Sequence, residues 1–210
     1  MKASLYDTFG AADVLRLAKA PIPEPRAGDL LVKMHAAGVN RADLLRRQGY
    51  YGRQSYGDGT LLGPDVAGEI VAVGNAVTDV RPGERVMAVV GGGGYAAFAR
   101  VDRGMAVRIP DTLDAIGAAA GMDAFVTAWE AVVHLGGAAS GGAELVHVAA
   151  GGVDSAGVEI AHALRTRVFA TASLRGAPMF SPSPRRPCST IAPKISRRAC
   201  VRPPAGAKSM

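Results

Sequence analysis

The sequence predicts a mixed β and α/β fold, in which an N-terminal β-barrel is followed by one βαβ unit. Short apolar or alternating stretches, separated by Gly and Pro turns, fill roughly the first 110 residues, as in a small barrel. After Pro110 the chain changes to small-residue, helix-compatible stretches over residues 115–120 and 125–134. A continuous apolar run at residues 145–150 then precedes two glycines, which is typical of a strand buried on both faces.

The turns place the elements of the predicted barrel, which we expect to cover residues 1–120. A short helix is predicted over residues 41–48, because Gly49 ends it. The dipeptide Pro82-Gly83 predicts a tight turn. The predicted strands cover residues 29–36, 65–73, 85–90 and, as a last strand pair, 95–107.

The stretch 121–175 is predicted to be a partial nucleotide-binding domain. Its order is the buried strand 145–150, a glycine turn, a helix from about Ser155 to Leu164 and a second strand at residues 168–171. A strand, glycine turn, helix and strand form one right-handed crossover unit, which opens a dinucleotide-binding domain.

Residues 176–210 are predicted to be a disordered, basic, Pro-rich tail. Seven of the 13 prolines fall there, and neither helical nor strand periodicity continues. The tail also holds seven basic residues and no acidic one. The rest of the chain therefore contains 17 of the 24 basic residues and all 18 acidic residues. Because the body is close to neutral, we expect no nucleic-acid partner.

Membrane and secretion signals are also not expected. The sequence has no apolar run that we judge long enough to span a bilayer, and Asp7 lies where a signal peptide would be apolar. These observations predict a cytoplasmic protein with no membrane partner. Both cysteines, Cys188 and Cys200, lie in the tail, which leaves the body without a thiol for a disulfide or a nucleophile.

Five short motifs carry, by their order and spacing along the chain, a resemblance to a known family. They are AGVNRADLLRRQGYY at residues 37–51, AGEIV at 67–71, PGERV at 82–86, GGGYA at 92–96 and TAWEA at 127–131. The stretch 1–173 resembles the zinc-independent quinone oxidoreductase (zeta-crystallin-like) branch of the medium-chain dehydrogenase/reductase superfamily. The resemblance implies a GroES-like N-terminal β-barrel followed by the first βαβ unit of a Rossmann domain, and we expect a truncation or frameshift after about residue 175.

The resemblance implies an NADPH-dependent oxidoreductase that acts on a small-molecule quinone or enone. In such enzymes the nicotinamide supplies the hydride, and the protein positions the reacting groups. Asn40 and Tyr51 are the implied catalytic residues, and the resemblance also implies that Asn40 and Thr127 contact the cofactor. The alternatives are that Asn40 only caps the following helix and that Tyr51 is a packed loop aromatic. The sequence does not decide whether the cofactor is NADPH or NADH. It is compatible with a homodimer.

The phosphate loop departs from the family pattern. The resemblance assigns cofactor binding to Ala150, Gly151, Gly152, Val153 and Thr171, yet Val148 and Asp154 replace glycines. A carboxylate there would repel a pyrophosphate by on the order of 1–3 kcal/mol, although Asp154 could instead cap the helix. These changes predict weak or no turnover by this chain. The alternative function is therefore a catalytically inactive GroES-like barrel fragment.

No metal site is predicted. Zinc-dependent relatives place a cysteine where Asn40 stands and a His-Glu pair where Pro64-Asp65 stands. A catalytic zinc needs about three protein ligands. The remaining candidates are scattered through unrelated elements, namely His35, His134, His147 and His162.

Overall fold

The computed structural model describes residues 1–50, 61–172, 189–191 and 198–201. The chain divides into two compact units, Met1–Asp123 and Ala124–Met210. The first unit is built on antiparallel strands and the second on a parallel strand pair with helices, so the predicted mixed β and α/β class is confirmed. The domain boundaries at residues 120 and 175 stay predictions.

The first unit contains a five-stranded antiparallel sheet in the order β6-β3-β4-β5-β7. A separate pair, β1 and β2, joins residues near the N-terminus. The strands are β1 Lys2–Leu5, β2 Arg16–Lys19, β3 Asp29–Ala37, β4 Asp65–Val73, β5 Arg85–Val89, β6 Phe98–Asp102 and β7 Ala106–Arg108.

The connection between β6 and β7 requires the sheet to curl. These strands occupy opposite edges of the sheet, and in a flat sheet four strand spacings would separate them by about 19 Å. Only residues 103–105 join Asp102 to Ala106, and four residue steps reach at most about 14 Å. The sheet therefore bends toward a barrel. The prediction of a paired β6 and β7 was wrong, because β6 pairs with β3 and β7 pairs with β5.

Alternating side chains of the central strands form the core of the first unit. Leu30 and Val32 of β3 and Ile70 of β4 are completely buried, and Val101 of β6 joins them. The period-2 alternation of a strand places such residues on one face of the sheet. This core holds the ends of β3 and β4 in place, and it is from these ends that the polar residues described below project.

Helix α1, Arg41–Arg47, follows β3 closely. Gly49 lies just beyond it with φ +84°, a left-handed conformation that favours glycine. The predicted helix at residues 41–48, ending before Gly49, is confirmed to within one residue.

The second unit contains the predicted crossover. Strand β8, Ala143–Val146, leads into helix α3, Gly152–Ala163, and then into β9, Arg167–Ala172. The two strands are parallel neighbours, with Leu145 opposite Phe169. The predicted βαβ unit is therefore confirmed, and α3 begins three residues earlier than expected.

The prediction that residues 145–150 form a strand buried on both faces was wrong in two respects. Strand β8 ends at Val146, and the next four residues form turns. Leu145 is 58% exposed, because within the described part of the chain β8 is an edge strand with β9 on one side only. A strand becomes buried on both faces only when further strands and helices surround it.

Helix α2, Ala115–Trp129, continues directly into a π-helical segment, Glu130–Leu135, so the two predicted helical stretches are one. Ala118 and Ala119 pack in a cluster of the first unit, and Ala124 and Ala128 pack in one of the second. By length and composition, Ala115–Leu135 could cross a membrane, with a mean hydropathy of 1.3. The expectation that the sequence contains no apolar run long enough to span a bilayer is therefore wrong for this helix. The expected lack of a membrane partner stays a prediction.

Two short strands fall inside the tail that the sequence predicts to be disordered. Strand β10, Ser189–Ile191, pairs antiparallel with β11, Arg198–Val201, which pairs antiparallel with β9. At these seven residues the backbone is extended and paired, in contrast to the expectation. The physical reason is that the edge of β9 has backbone N–H and C=O groups that can form hydrogen bonds with a further strand.

We predict that Ile70→Ala destabilises the protein by about 2–5 kcal/mol, because Ile70 is fully buried in the core of the first unit. Val71 follows it on the opposite face of β4 and is 37% exposed. The control Val71→Ala should cost less than about 1 kcal/mol. Urea unfolding with equal m-values measures both, and equal losses for the two variants would contradict this assignment of the core.

Candidate functional site

Asn40 lies in the first unit between β3 and α1. Its backbone is extended, with φ −112° and ψ 157°, and it occupies the N-cap position of α1. Its side-chain Nδ2 donates a hydrogen bond of 2.8 Å to Oδ2 of Asp65, the first residue of β4. Asn40 is thus the cap residue, as the alternative interpretation expects, and its carboxamide is also held by a buried carboxylate.

A second buried carboxylate, Asp43, organises the surrounding loops. It accepts hydrogen bonds from the Asn40 backbone N–H at 3.0 Å and from the Gly63 N–H at 2.9 Å. The hydroxyl of Tyr95 lies 2.9 Å from Asp43 Oδ2 and 3.2 Å from the Gly38 carbonyl oxygen. Three chain segments therefore meet at one carboxylate, namely the start of α1, the loop at Gly63 and the loop at Tyr95. We call Asn40, Asp43, Asp65 and Tyr95 the Asn40 cluster.

Burial affects the pKa of two members of the Asn40 cluster, Asp65 and Tyr95. Burial raises the pKa of Asp65, while hydrogen bonds from Asn40 and from the Asp123 backbone oppose that change. Burial, followed by the charge of Asp43, raises the pKa of the Tyr95 phenol. The Tyr95 hydroxyl therefore stays neutral. It can donate a hydrogen bond to Asp43 Oδ2 or to the Gly38 carbonyl oxygen. A proton held in this way supports the fold rather than a reaction.

Tyr51, the other predicted catalytic residue, lies outside the described residues. Its role stays a prediction.

In the second unit, Thr171 holds the loop between β8 and α3. Its hydroxyl oxygen accepts the Val148 N–H at 3.2 Å and lies 3.1 Å from His147 Nδ1. Its carbonyl oxygen accepts the Ala149 N–H at 2.8 Å. The structure thus brings Thr171 against the predicted phosphate loop, and the contacts described show it supporting that loop.

The predicted phosphate loop leads into the N-terminus of α3. Ala150 precedes Gly151, which is the N-cap residue, and Gly152 and Val153 are the first two helical residues. The first N–H groups of a helix have no intrahelical acceptor and carry the positive end of its dipole, so they can bind an anion. A Cβ on Gly152 would meet nothing within 4 Å, which leaves space at this end of the helix.

Asp154 is the third residue of α3 and turns back over the loop. A Cβ on Gly151 would collide with the Asp154 carboxylate. Gly151 has no side chain that could cap the helix, and the interpretation of Asp154 as the cap stays a prediction. The Asp154 carboxylate lies beside the N-cap residue, where the helix dipole stabilises it and where it would repel a bound phosphate.

Val148 shows strain in the same loop. Its φ is +56°, in the left-handed region that a β-branched residue rarely adopts. The resemblance to the family implies a glycine at this position, and the backbone of this chain adopts a conformation that glycine favours. The cost of holding a non-glycine residue there is about 1–2 kcal/mol.

Some of the predicted site residues lie close together in the structure, whereas others belong to different units. Ala150, Gly151, Gly152, Val153 and Thr171 all lie at one end of the βαβ unit. Thr127 is exposed on α2 within the second unit, whereas Asn40 lies in the first unit.

Sequence reasoning did not identify Asp43, Asp65 or Tyr95 as members of the site. One signal was present, since Asp65 opens a mainly apolar strand, and a polar residue there is buried only with partners. Across residues 1–50 and 61–172, no group of three or more His, Cys, Asp or Glu side chains is arranged to hold a metal ion.

Comparison with known proteins identifies relatives of both units. Residues 26–111 match the family described as Alcohol dehydrogenase GroES-like domain. The quinone oxidoreductase of Rattus norvegicus is 39% identical over 175 residues, which are 82% of this chain and 53% of that protein. Polyketide synthase GfsB of Streptomyces halstedii is 41% identical over 156 residues, which are 74% of this chain and 3% of that protein.

A solved structure extends the likeness to three dimensions. Mycobacterial Rv1454c complexed with NADPH superimposes with a TM-score of 0.76 at 30% identity, covering 85% of this chain and 55% of that one. The chain spans about half the length of the quinone oxidoreductase and of this structural neighbour.

We predict that Val148→Gly stabilises the protein by about 0.5–1 kcal/mol, because relief of the left-handed strain outweighs the added freedom of the unfolded chain. The control Val146→Gly, in strand β8, should destabilise it, since glycine weakens a strand. Thermal unfolding followed by circular dichroism measures both effects. A lower stability for Val148→Gly would show that the loop does not hold this conformation in solution.

Proposed function

We propose that this chain, which belongs to the medium-chain dehydrogenase/reductase superfamily, binds NADPH and derives from an enzyme that reduces a small-molecule quinone or enone without zinc. One observation carries the proposal. The parallel β8–α3–β9 unit places Gly151 and Gly152 at the N-terminus of α3, the arrangement that receives a dinucleotide pyrophosphate.

Two comparisons support the choice of cofactor and substrate. A relative with 39% identity is a quinone oxidoreductase, and a structural neighbour with 30% identity is complexed with NADPH. This chain spans about half of each of these proteins. We therefore propose, for this chain, the activity that the full-length relatives have. We further propose a cytoplasmic location and no nucleic-acid partner.

Each proposed site residue has a defined task. The Asn40 carboxamide, fixed on Asp65, would present a hydrogen-bonding group to the nicotinamide half of the cofactor. Tyr51 would donate a hydrogen bond to the substrate oxygen, and exposed Thr127 would contact the nicotinamide side. The backbone N–H groups from Gly152 onward would hold the pyrophosphate, while Thr171 keeps their loop in place.

Hydride transfer to a quinone would require little chemical catalysis by protein side chains. Bound NADPH would supply a hydride from its nicotinamide ring. A reduced quinone is a stabilised anion, so the site needs no strong general acid. This requirement agrees with the Asn40 cluster, in which the Tyr95 hydroxyl already lies within hydrogen-bond distance of Asp43 and Gly38.

Two features favour the second candidate, a catalytically inactive GroES-like barrel fragment. The Asp154 carboxylate lies against Gly151, where the pyrophosphate would be received. Leu145 of β8 is largely exposed, which leaves one side of the nucleotide-binding sheet open within the described residues. The backbone of the loop at Gly151 and Gly152 therefore fits the pyrophosphate of NADPH, whereas the negative charge of Asp154 opposes its binding.

We predict weak but saturable NADPH binding, with a Kd in the high micromolar to millimolar range. Quenching of Trp129, which is 47% exposed on α2, measures it. The Asn40→Ala variant should bind about tenfold more weakly, the effect of one lost hydrogen bond. The control Gln48→Ala, at the exposed end of α1, should bind like the wild type. Absence of binding at millimolar NADPH would favour the inactive fragment.

We also predict that Asp154→Gly tightens NADPH binding by about 10-fold to 100-fold, because it removes on the order of 1–3 kcal/mol of repulsion from the N-terminus of α3. The control Glu159→Gln removes the same charge further along α3 and should change the affinity little. The gain should shrink as salt is added, since ions screen the repulsion. An equal gain from both variants would mean that Asp154 has no specific effect at the loop.

A further inference from the structure

A cavity of about 380 Å³ lies in the first unit, where the two edges of the curled sheet approach each other. Its walls come from the edge strand β6, from the turn between β6 and β7, and from the end of β5. Strand β7 pairs with β5 only as far as Ala88, so that Val89 and the residues after it extend beyond this pairing. None of the described residues that we propose for NADPH binding lines the cavity.

An ion pair forms one part of the cavity wall. The Arg100 Nε lies 3.4 Å from Asp29 Oδ2, and both side chains are largely buried. The same Asp29 oxygen accepts the backbone N–H of Arg26 at 3.1 Å, which anchors the chain at the rim of the cavity. Because the charges of Arg100 and Asp29 compensate each other, this pair does not require a ligand.

Two further charged residues at the cavity, Arg26 and Asp102, are exposed and carry opposite signs. Asp102 Oδ1 accepts the Gly104 N–H at 2.7 Å, which holds the carboxylate in place. Within the described part of the chain, no carboxylate pairs with the Arg26 guanidinium and no donor reaches Asp102 Oδ2. Since these two charges do not pair with each other, each is available to a group of opposite charge on a ligand.

The remaining wall of the cavity is apolar. Val89 and Met105 line it, and Met105 is 51% exposed. An aliphatic group that covers this surface is removed from water, which favours binding. The cavity volume lies in the range of small-molecule sites, about 300–1,000 Å³, in which a few polar groups orient a ligand against apolar walls.

We propose that this cavity binds a small zwitterion with an aliphatic group, the chemistry of an amino acid such as leucine. The Arg26 guanidinium binds the carboxylate of this ligand through its N–H groups. Asp102 accepts an N–H of the ligand ammonium, and the aliphatic group lies against Val89 and Met105. The carboxylates of Asp29 and Asp102 disfavour a multiply charged anion such as a phosphate.

The first test titrates the full 210-residue chain with leucine and with two analogues that each lack one charge. Isocaproate lacks the ammonium group, and isoamylamine lacks the carboxylate. The NMR signal of the Met105 methyl group, assigned with Met105→Leu, reports on binding. We expect a roughly millimolar Kd for leucine and about tenfold weaker binding of each analogue. Equal affinity for leucine and either analogue, or no shift of the signal with leucine, would overturn the proposal.

Two variants test which residue meets which charge of the ligand. Arg26→Gln should weaken leucine and isocaproate by about tenfold and leave isoamylamine unchanged, because it removes only the partner of the carboxylate. Asp102→Asn should weaken leucine and isoamylamine and leave isocaproate unchanged, and its side-chain oxygen can still accept the Gly104 N–H. The controls Arg81→Gln and Asp111→Asn remove the same charges from exposed positions outside the cavity. They should leave all three affinities unchanged.

Thermal unfolding of each variant separates loss of the site from loss of the fold. A folded variant that weakens all three ligands equally would overturn the assignment of Arg26 and Asp102 to the two charges, as would wild-type affinities in both variants. If a variant fails to fold, the comparison of the three ligands on the wild type still decides whether the cavity selects a zwitterion. NADPH is absent throughout, so the outcome does not depend on the proposed function.

Discussion

The first unit depends on two buried carboxylates, Asp43 and Asp65, whose hydrogen-bond donors come from other parts of the chain. An unsatisfied buried charge costs several kcal/mol, so the loops that supply N–H and O–H groups cannot move away independently. Asp43 ties the start of α1 to Gly63 and Tyr95, and Asp65 ties Asn40 to α2. The apolar core of the curled sheet provides the stability, and these two carboxylates determine where the loops beside the core are placed.

The second unit is governed by a different constraint, the open side of its sheet. Strand β8 has one neighbour within the described residues, and its apolar Leu145 faces outward. The loop that follows β8 retains a glycine-like backbone at Val148 and an acidic residue beside the helix N-terminus. The backbone that would hold a dinucleotide is therefore formed, while two side chains in it oppose that use.

Local patterns predicted most elements, and the failures have a common cause. The strand at residues 65–73 and the helix ending before Gly49 were found because period-2 alternation and a left-handed glycine are signals carried by neighbouring residues. The pairing of β6 with β7 and the burial of β8 were predicted wrongly, because both depend on which distant strands lie alongside. Short strands β10 and β11 were missed for the same reason, since they are paired through β9 rather than by their own composition.

The sequence by itself determined the mixed fold, the βαβ unit, the departure of Val148 and Asp154 from a phosphate-binding loop, and the candidacy of Asn40. These depend on residue type and on spacing along the chain. Only the tertiary structure decided that Asn40 is held by Asp65, that Asp43 and Tyr95 belong to the same cluster, and that Thr171 supports the loop before α3. Asp65 follows Asn40 by 25 positions and Tyr95 follows Asp43 by 52, and no local pattern encodes a hydrogen bond across such separations. That pairing follows from the curl of the sheet, which the whole set of strands produces together.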